Sequence, residues 1–436
     1  MRVIDLRGQN LSTAELLSVV PRATAAKAHA LETAAAIVAD VRDRGEAALR
    51  EQATQFDGAT GHAIRVPQHH IDEAIASLEP DVRSALEEAI RRVRLASAAQ
   101  VPAPAVTELG GGARVIQRWQ PVARVGVYVP GGKAVYPSSV IMNVVPAQIA
   151  GVSAVALASP PQRAFDGRVH PTILAAAGLL GVTEIYAMGG AGAIGALAYG
   201  VESLELAPVD VVTGPGNNFV AAAKRAVAGV VGIDAEAGAT EILVVADDTA
   251  NADFVAADLI SQAEHDEQSG SVLVTFSPDL ADAVSARIAA MVPLTKHAER
   301  VAIALGGEQS AIVLVDDLKT AAAFSNAYGP EHLEIQTAHA SADAAIFTNA
   351  GALFIGDYAP VSLGDYLAGS NHVLPTSGQA RYASGLGAHT FLRPQQVVEY
   401  SREALENVAA DIVALSTAED LPAHGEAVTA RFAPRD

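Results

Sequence analysis

Two short stretches of this chain carry side chains that could share a metal ion or move a proton. Gln262-Ala263-Glu264-His265 falls on a predicted helix over 251–267, with positions 262 and 265 three apart. That spacing turns both side chains to one face, where an amide oxygen and an imidazole can meet one ion. The spacing alone favours the blander reading of a polar stripe on a solvated helix, and Glu264 is expected to point to solvent. Tyr328-Gly329-Pro330-Glu331-His332 sets two titratable groups side by side in a Gly-Pro turn at the entry to an apolar strand. Histidine suits acid–base work near neutral pH, and a buried glutamate can be tuned towards it. A surface Glu-His dipeptide in a connecting loop is the competing reading. The polar loop from Gly364 to His372 offers Asp365 or His372 as a further ligand; loops of this kind carry function more often than packing. His424, near the start of a predicted tail helix with Glu419 five residues earlier, reads by itself as an ordinary surface histidine.

Composition narrows the chemistry. The 436 residues include no cysteine, so any metal must sit on imidazole, carboxylate or amide oxygen, and no thiolate nucleophile exists. Such ligands suit Zn²⁺ or Mn²⁺. A net charge of −20, from 49 acidic against 29 basic residues, repels phosphate backbones, so nucleic acid is not an expected partner. No unbroken apolar run reaches the roughly 18 residues of a membrane span, and the N-terminus lacks a signal-peptide core. The expectation is a cytoplasmic protein with no membrane partner.

The elements that must position these groups follow from periodicity. Helices are expected over 13–56 and 69–100. From about residue 122, buried strands (125–129, 152–158, 184–188, 209–212) alternate with short helices, which predicts a parallel sheet with right-handed crossovers. Three of these strands end in glycine-rich turns: Pro130-Gly131-Gly132, Gly189-Gly190-Ala191-Gly192 and Gly214-Pro215-Gly216-Asn217. Glycine allows close backbone approach, and a following helix start offers free N–H groups to an anion, so three together suggest a nucleotide site. Gly190, Gly192 and Gly195 match the dinucleotide fingerprint as letters only, because no acidic residue sits on a strand about 20 residues later. A second alternation begins near 242, with a plausible hinge at 233–241. Helices over 394–415 and 422–432 close the chain as a tail too short to be a domain, predicted to pack on another body such as a second subunit.

Taken in order, these stretches resemble the histidinol dehydrogenase family. The resemblance rests on Val127-Tyr128-Val129-Pro130-Gly131-Gly132, Tyr136-Pro137-Ser138-Ser139-Val140, Gly189-Gly190-Ala191, Gly214-Pro215-Gly216-Asn217, Asp258 through His265, Tyr328 through His332, and Gly364-Asp365-Tyr366 running on to Asn371-His372. It implies an α/β fold of two Rossmann-like parallel-sheet domains in an intertwined homodimer. The implied division is an arm over 1–25, a metal and substrate domain over 26–121 plus 239–380, an NAD domain over 122–238, and a helical tail over 381–436 docked on the partner.

The implied activity is NAD-linked, four-electron oxidation of L-histidinol to L-histidine through L-histidinaldehyde, the last step of histidine synthesis. By the same resemblance one zinc ion per subunit sits on Gln262, His265, Asp365 and His424. His332 matches the base for the alcohol and Glu331 the group that activates water. Thr240 and Glu419 match substrate positions, and Tyr128 and Asn217 match NAD contacts. Gly192 stands where many members carry a glutamine, and Thr240 where serine is common. The nearest alternative is a paralogous NAD-dependent dehydrogenase of a sulfonated diol. Glu419 argues against it, since a carboxylate suits a cationic amine and repels a sulfonate.

Overall fold

The computed structural model describes residues 1–22, 27–131, 135–236 and 238–434. Gly132 of the first glycine turn and Ala237 of the expected hinge lie outside the described residues.

The strands, in chain order, are β1 (Arg2–Asp5), β2 (Ala105–Gly110), β3 (Ala113–Pro121), β4 (Arg124–Tyr128), β5 (Ala154–Ser159), β6 (Glu184–Ala187), β7 (Val211–Thr213), β8 (Gly232–Ile233), β9 (Glu241–Ala246), β10 (Gly270–Thr275), β11 (Ala311–Leu314), β12 (His332–Gln336), β13 (Ala352–Ile355) and β14 (Leu392–Tyr400). They build two parallel sheets, in the orders β6-β5-β4-β7-β8 and β1-β11-β10-β9-β12-β13, and one antiparallel sheet, β14-β3-β2. All six residues of β9 and of β10 are buried, as they must be when helices cover both faces of a parallel sheet. On one face of the large sheet Val255, Leu259, Val284 and Val301 pack from helices; on the other, Leu16, Phe324 and Tyr328 do.

The chain forms two compact units, one of residues 1–100 and 122–391 and one of residues 101–121 and 392–436. Two sequence expectations need correction here. The hairpin β2–β3 belongs with the tail, although the expected division placed 101–121 in the substrate domain. The tail is not all helical: residues 392–400 form β14, paired antiparallel along β3 from Leu392–Pro121 to Tyr400–Ala113, and the helix begins only at Arg402 behind a Ser401 cap. Pro394 and the Val397-Val398 pair favour extended backbone over helix. The N-terminal arm opens as a strand, β1, on the edge of the large sheet beside β11, and the helices expected over 13–56 are Thr13–Val19, Lys27–Arg44 and Glu46–Gln52. Ser12 and Glu15 start the first of these with a reciprocal capping box.

Candidate functional site

Strand direction decides where the functional groups meet. In a β-α-β unit the helix runs back along the sheet, so its C-terminus lies beside the amino ends of the strands. Gln262 is in the last turn of the helix Ala252–Ala263, and Asp365 is in the last turn of the helix Val361–Tyr366. Both are therefore delivered to the edge where β9 and β12 begin, at Glu241 and His332. A cleft of about 1300 Å³ opens there, with Thr240, His265, Glu331, His332 and Asp365 on one wall. Its other wall is made by the turns after β4, β6 and β7, at the carboxyl ends of the smaller sheet, the usual ligand edge of such sheets. The volume exceeds the roughly 300–1,000 Å³ of an ordinary small-molecule pocket and leaves room for two ligands side by side.

Glu331 and His332 are buried, at 6 and 4 % exposure, which excludes the surface-dipeptide reading. Gly329, in the left-handed region at φ +58°, closes the helix Leu318–Tyr328 and turns the chain through Pro330 into β12. Glu331 Oε2 accepts from Thr240 Oγ1 at 2.6 Å and from the Glu241 amide at 2.9 Å. Burial outweighs both bonds and pushes the carboxyl up to about 8. Burial lowers the His332 imidazole below its ordinary value, so it is neutral at pH 7. Its Nδ1 lies 3.1 Å from the Glu241 carbonyl oxygen. Only an N–H makes that a bond, so Nε2 carries the free lone pair.

Gln262 and His265 do not share a helical face as the spacing predicted, because the helix ends at Ala263 and His265 lies in the turn beyond it. They meet through the backbone instead: His265 Nδ1 stands 3.3 Å from the Gln262 carbonyl oxygen, which leaves its Nε2 for a ligand. Gln262 donates from Nε2 to Thr240 Oγ1 at 2.7 Å, while its buried Oε1 has no hydrogen-bond partner. A buried amide oxygen without a donor costs about 1–3 kcal/mol, and a cation would satisfy it. An imidazole held through its other nitrogen by a carbonyl is the usual second-sphere arrangement of a metal ligand. These donors therefore fit a zinc ion. Among the described residues no three His, Asp or Glu side chains cluster as a complete metal set. His372 is engaged at both nitrogens, by the Asp365 carbonyl oxygen at 3.0 Å and by Ser139 Oγ at 3.3 Å, so Asp365 is the better ligand of that loop. His424 and Glu419 belong to the second compact unit, where both are exposed.

On the opposite wall, Tyr128 is 4 % exposed and its hydroxyl accepts from the Gly190 amide at 3.1 Å. Burial drives the phenol up to about 12, so it stays protonated. Asn217 caps the helix Asn218–Val227 by accepting from the amides of Phe219 and Val220. Both residues line the cleft. Gly214 stands at φ +119°, and any Cβ there would overlap the Tyr128 carbonyl oxygen, so that turn can pack on β4 only as glycine.

Three supporting residues were not foreseen. Arg22 reaches Glu241 with Nε at 2.8 Å from Oε2 and stacks 3.8 Å over the Tyr328 ring. Lys224, almost wholly buried, pairs with Asp234 and donates to the Gly214 carbonyl at 3.0 Å, while Asp234 accepts from the Gly214 amide at 2.8 Å. Lone letters such as these carry no sequence signal. Arg22→Ala would leave the Glu241 carboxylate buried and unpaired and should cost roughly 3–5 kcal/mol, the range for breaking a buried pair. Urea unfolding of the two proteins measures it, and a change under 1 kcal/mol, as for exposed pairs, would place the pair in solvent.

Comparison with known proteins identifies the family. The histidinol dehydrogenase family model matches residues 20–432. A histidinol dehydrogenase of Leifsonia xyli subsp. xyli is 65 % identical over 435 residues, covering 100 % of both chains. The chain belongs to the histidinol dehydrogenase family. A histidinol dehydrogenase of Thermobifida fusca is 58 % identical over 433 residues, covering 99 % of this chain and 98 % of the relative. The crystal structure of the histidinol dehydrogenase from Elizabethkingia anophelis superposes with a TM-score of 0.93 at 32 % identity, over 99 % of this chain and 98 % of that one. The α/β architecture is thus that of a histidinol dehydrogenase. No described helix is long and apolar enough to cross a membrane.

Proposed function

We propose that this chain oxidises L-histidinol to L-histidine through L-histidinaldehyde, with NAD as hydride acceptor and zinc as metal, in the last step of histidine synthesis. The observation that carries the reading is the group at the amino ends of β9 and β12: a buried neutral imidazole with Nε2 free, a buried carboxyl beside it, and the unpartnered Gln262 Oε1 behind them. Zinc bound by these residues would anchor the substrate, and NAD bound on the Tyr128 and Asn217 wall would supply the hydride acceptor.

The protein groups then move the protons. His332 Nε2 takes the hydroxyl proton as hydride leaves the carbinol carbon. Glu331, as carboxylate, takes a proton from the water that adds to the aldehyde, and a second hydride leaves the hydrated carbon. Thr240 bridges Gln262 to Glu331, tying the anchor to the acid–base pair and keeping them in register.

In this reading zinc is held by Gln262, His265 and Asp365, with His424 and the substrate-binding Glu419 supplied by a partner subunit in a homodimer. The arm, the two α/β domains and the tail keep the roles expected of them, with the 101–121 hairpin grouped with the tail. Neither membrane nor nucleic acid takes part. Mixing His424→Ala subunits with His332→Ala subunits should restore activity, because one hybrid site then holds both intact residues. Assay of the mixture decides it: activity no higher than that of the separate variants would place each site within a single chain.

The substrate assignment is tested by NADH production from L-histidinol against a panel of other alcohols, including a sulfonated diol, with and without a chelator. Histidinol should turn over fastest and the chelator should stop it, with zinc restoring it. A faster alcohol in the panel, or indifference to the chelator, contradicts the reading.

A further inference from the structure

Gly192 is in the first turn of the helix Gly190–Tyr199 and lines the cofactor side of the cleft. Its backbone is ordinary helix, so no turn or positive φ asks for glycine there. Space does: a Cβ at 192 would overlap the amide oxygen of Gln52 and stand 3.5 Å from Leu49 Cδ2. Three residues on, along the same helical face, a Cβ at Gly195 would stand 3.2 Å from Val38 Cα. The helices Lys27–Arg44 and Glu46–Gln52 therefore lie against this face through two glycines, and the Gln52 amide is laid over the helix start where a side chain at 192 would otherwise be.

Gln52 is the last residue of its helix, and the chain continues in a single wide turn, Ala53–Asp57, with π-type hydrogen bonding. Such turns are frequent at functional sites. Gln52, Ala53, Phe56 and Asp57 all line the cleft. The Gln52 amide also lies beside the Asp40 carboxylate, which is paired with Arg44. The amide's oxygen, not its nitrogen, is the atom nearest the helix start.

We infer that Gln52 is a cofactor-contacting residue, admitted to the dinucleotide cleft by the missing side chain at Gly192 and presenting its amide oxygen as an acceptor. An acceptor cannot serve a phosphate oxygen. It suits a ribose hydroxyl or the N–H of a carboxamide, both of which a nicotinamide dinucleotide carries. The inference rests on the reading that NAD occupies this wall of the cleft.

The test is the Kd of NAD⁺ by calorimetry on the zinc-loaded protein. One such neutral bond is worth about 0.5–1.5 kcal/mol, so Gln52→Ala should weaken NAD⁺ binding by roughly 3- to 10-fold, with zinc content and the Kd of histidinol unchanged. Gly192→Ala should weaken NAD⁺ alone, by displacing Gln52, and should add little in the Gln52→Ala background. Asn217→Asp, which keeps its helix cap, is the control for the cleft: its added charge should weaken NAD⁺ if the dinucleotide lies there. An unchanged Kd in Gln52→Ala beside a weakened one in Asn217→Asp overturns the role of Gln52 and leaves the cleft reading standing. Unchanged values in both overturn the two together. Full additivity of Gln52→Ala and Gly192→Ala overturns the matched pair.

Discussion

Replacing His332 by alanine should abolish NADH formation from histidinol, with a loss of at least about 10²–10⁴-fold in turnover, the range for removing a positioned general base, while zinc stays bound. The geometry argues for both halves of that result. His332 is 4 % exposed and held through Nδ1 on the Glu241 carbonyl, so the lone pair on Nε2 has a fixed direction. Burial keeps the ring neutral, the form that can accept a proton at pH 7. Its removal leaves the Thr240 bonds to Gln262 and to Glu331 untouched, so the metal anchor keeps its frame. Metal analysis of the purified variant beside an initial-rate assay measures the two halves. Undiminished NADH formation from histidinol would remove His332 from the role of base, and loss of zinc with loss of activity would make it a structural residue.

Glu331→Gln should slow the aldehyde-to-acid half by roughly 10²-fold or more, again the range for general base catalysis, and the alcohol half much less. The pH dependence carries the sign. Burial raises the Glu331 carboxyl to about 8, so at pH 7 most of it is protonated and cannot accept a proton from water. The carboxylate fraction grows as pH rises through about 8, and the rate of aldehyde oxidation should grow with it. In Glu331→Gln that rise should be absent. Thr240 Oγ1 and the Glu241 amide both donate to Oε2, and both can bond an amide oxygen, so the variant should fold. Stopped-flow traces with histidinol and with histidinaldehyde separate the halves; equal slowing of both, or an alkaline rise that persists in the variant, would contradict the division of labour.

The alternation of apolar strands with short helices was legible from residue 122 onward, because strands buried on both faces read as continuous apolar runs, as in Glu241–Ala246 and Gly270–Thr275. The glycine turns were legible as turns, but what requires glycine at Gly214 is packing on the Tyr128 backbone, which the letters do not show. What local pattern could not carry was contact at long range. β14 was hidden because its partner, β3, lies some 280 residues earlier, and a nine-residue segment exposed along almost its whole length has no apolar run to announce it. The Gln262–His265 spacing suggested a shared helical face, yet the helix stops between them and a carbonyl makes the link. Arg22, Lys224 and Gln52 act through partners that only the fold brings near. For Glu331 and His332 the letters left burial open, and the fold decided it, since the helix before them and β12 after them enclose the pair.

The count of NADH formed per histidinol consumed tests the central claim most directly, because each hydride transfer yields one NADH and the two halves share one site. The zinc-loaded protein, given limiting histidinol and excess NAD⁺, should form two NADH for each histidinol and leave histidine as product. One NADH with accumulating histidinaldehyde would contradict a site in which His332 and Glu331 divide two successive oxidations, and none would contradict the assignment of substrate.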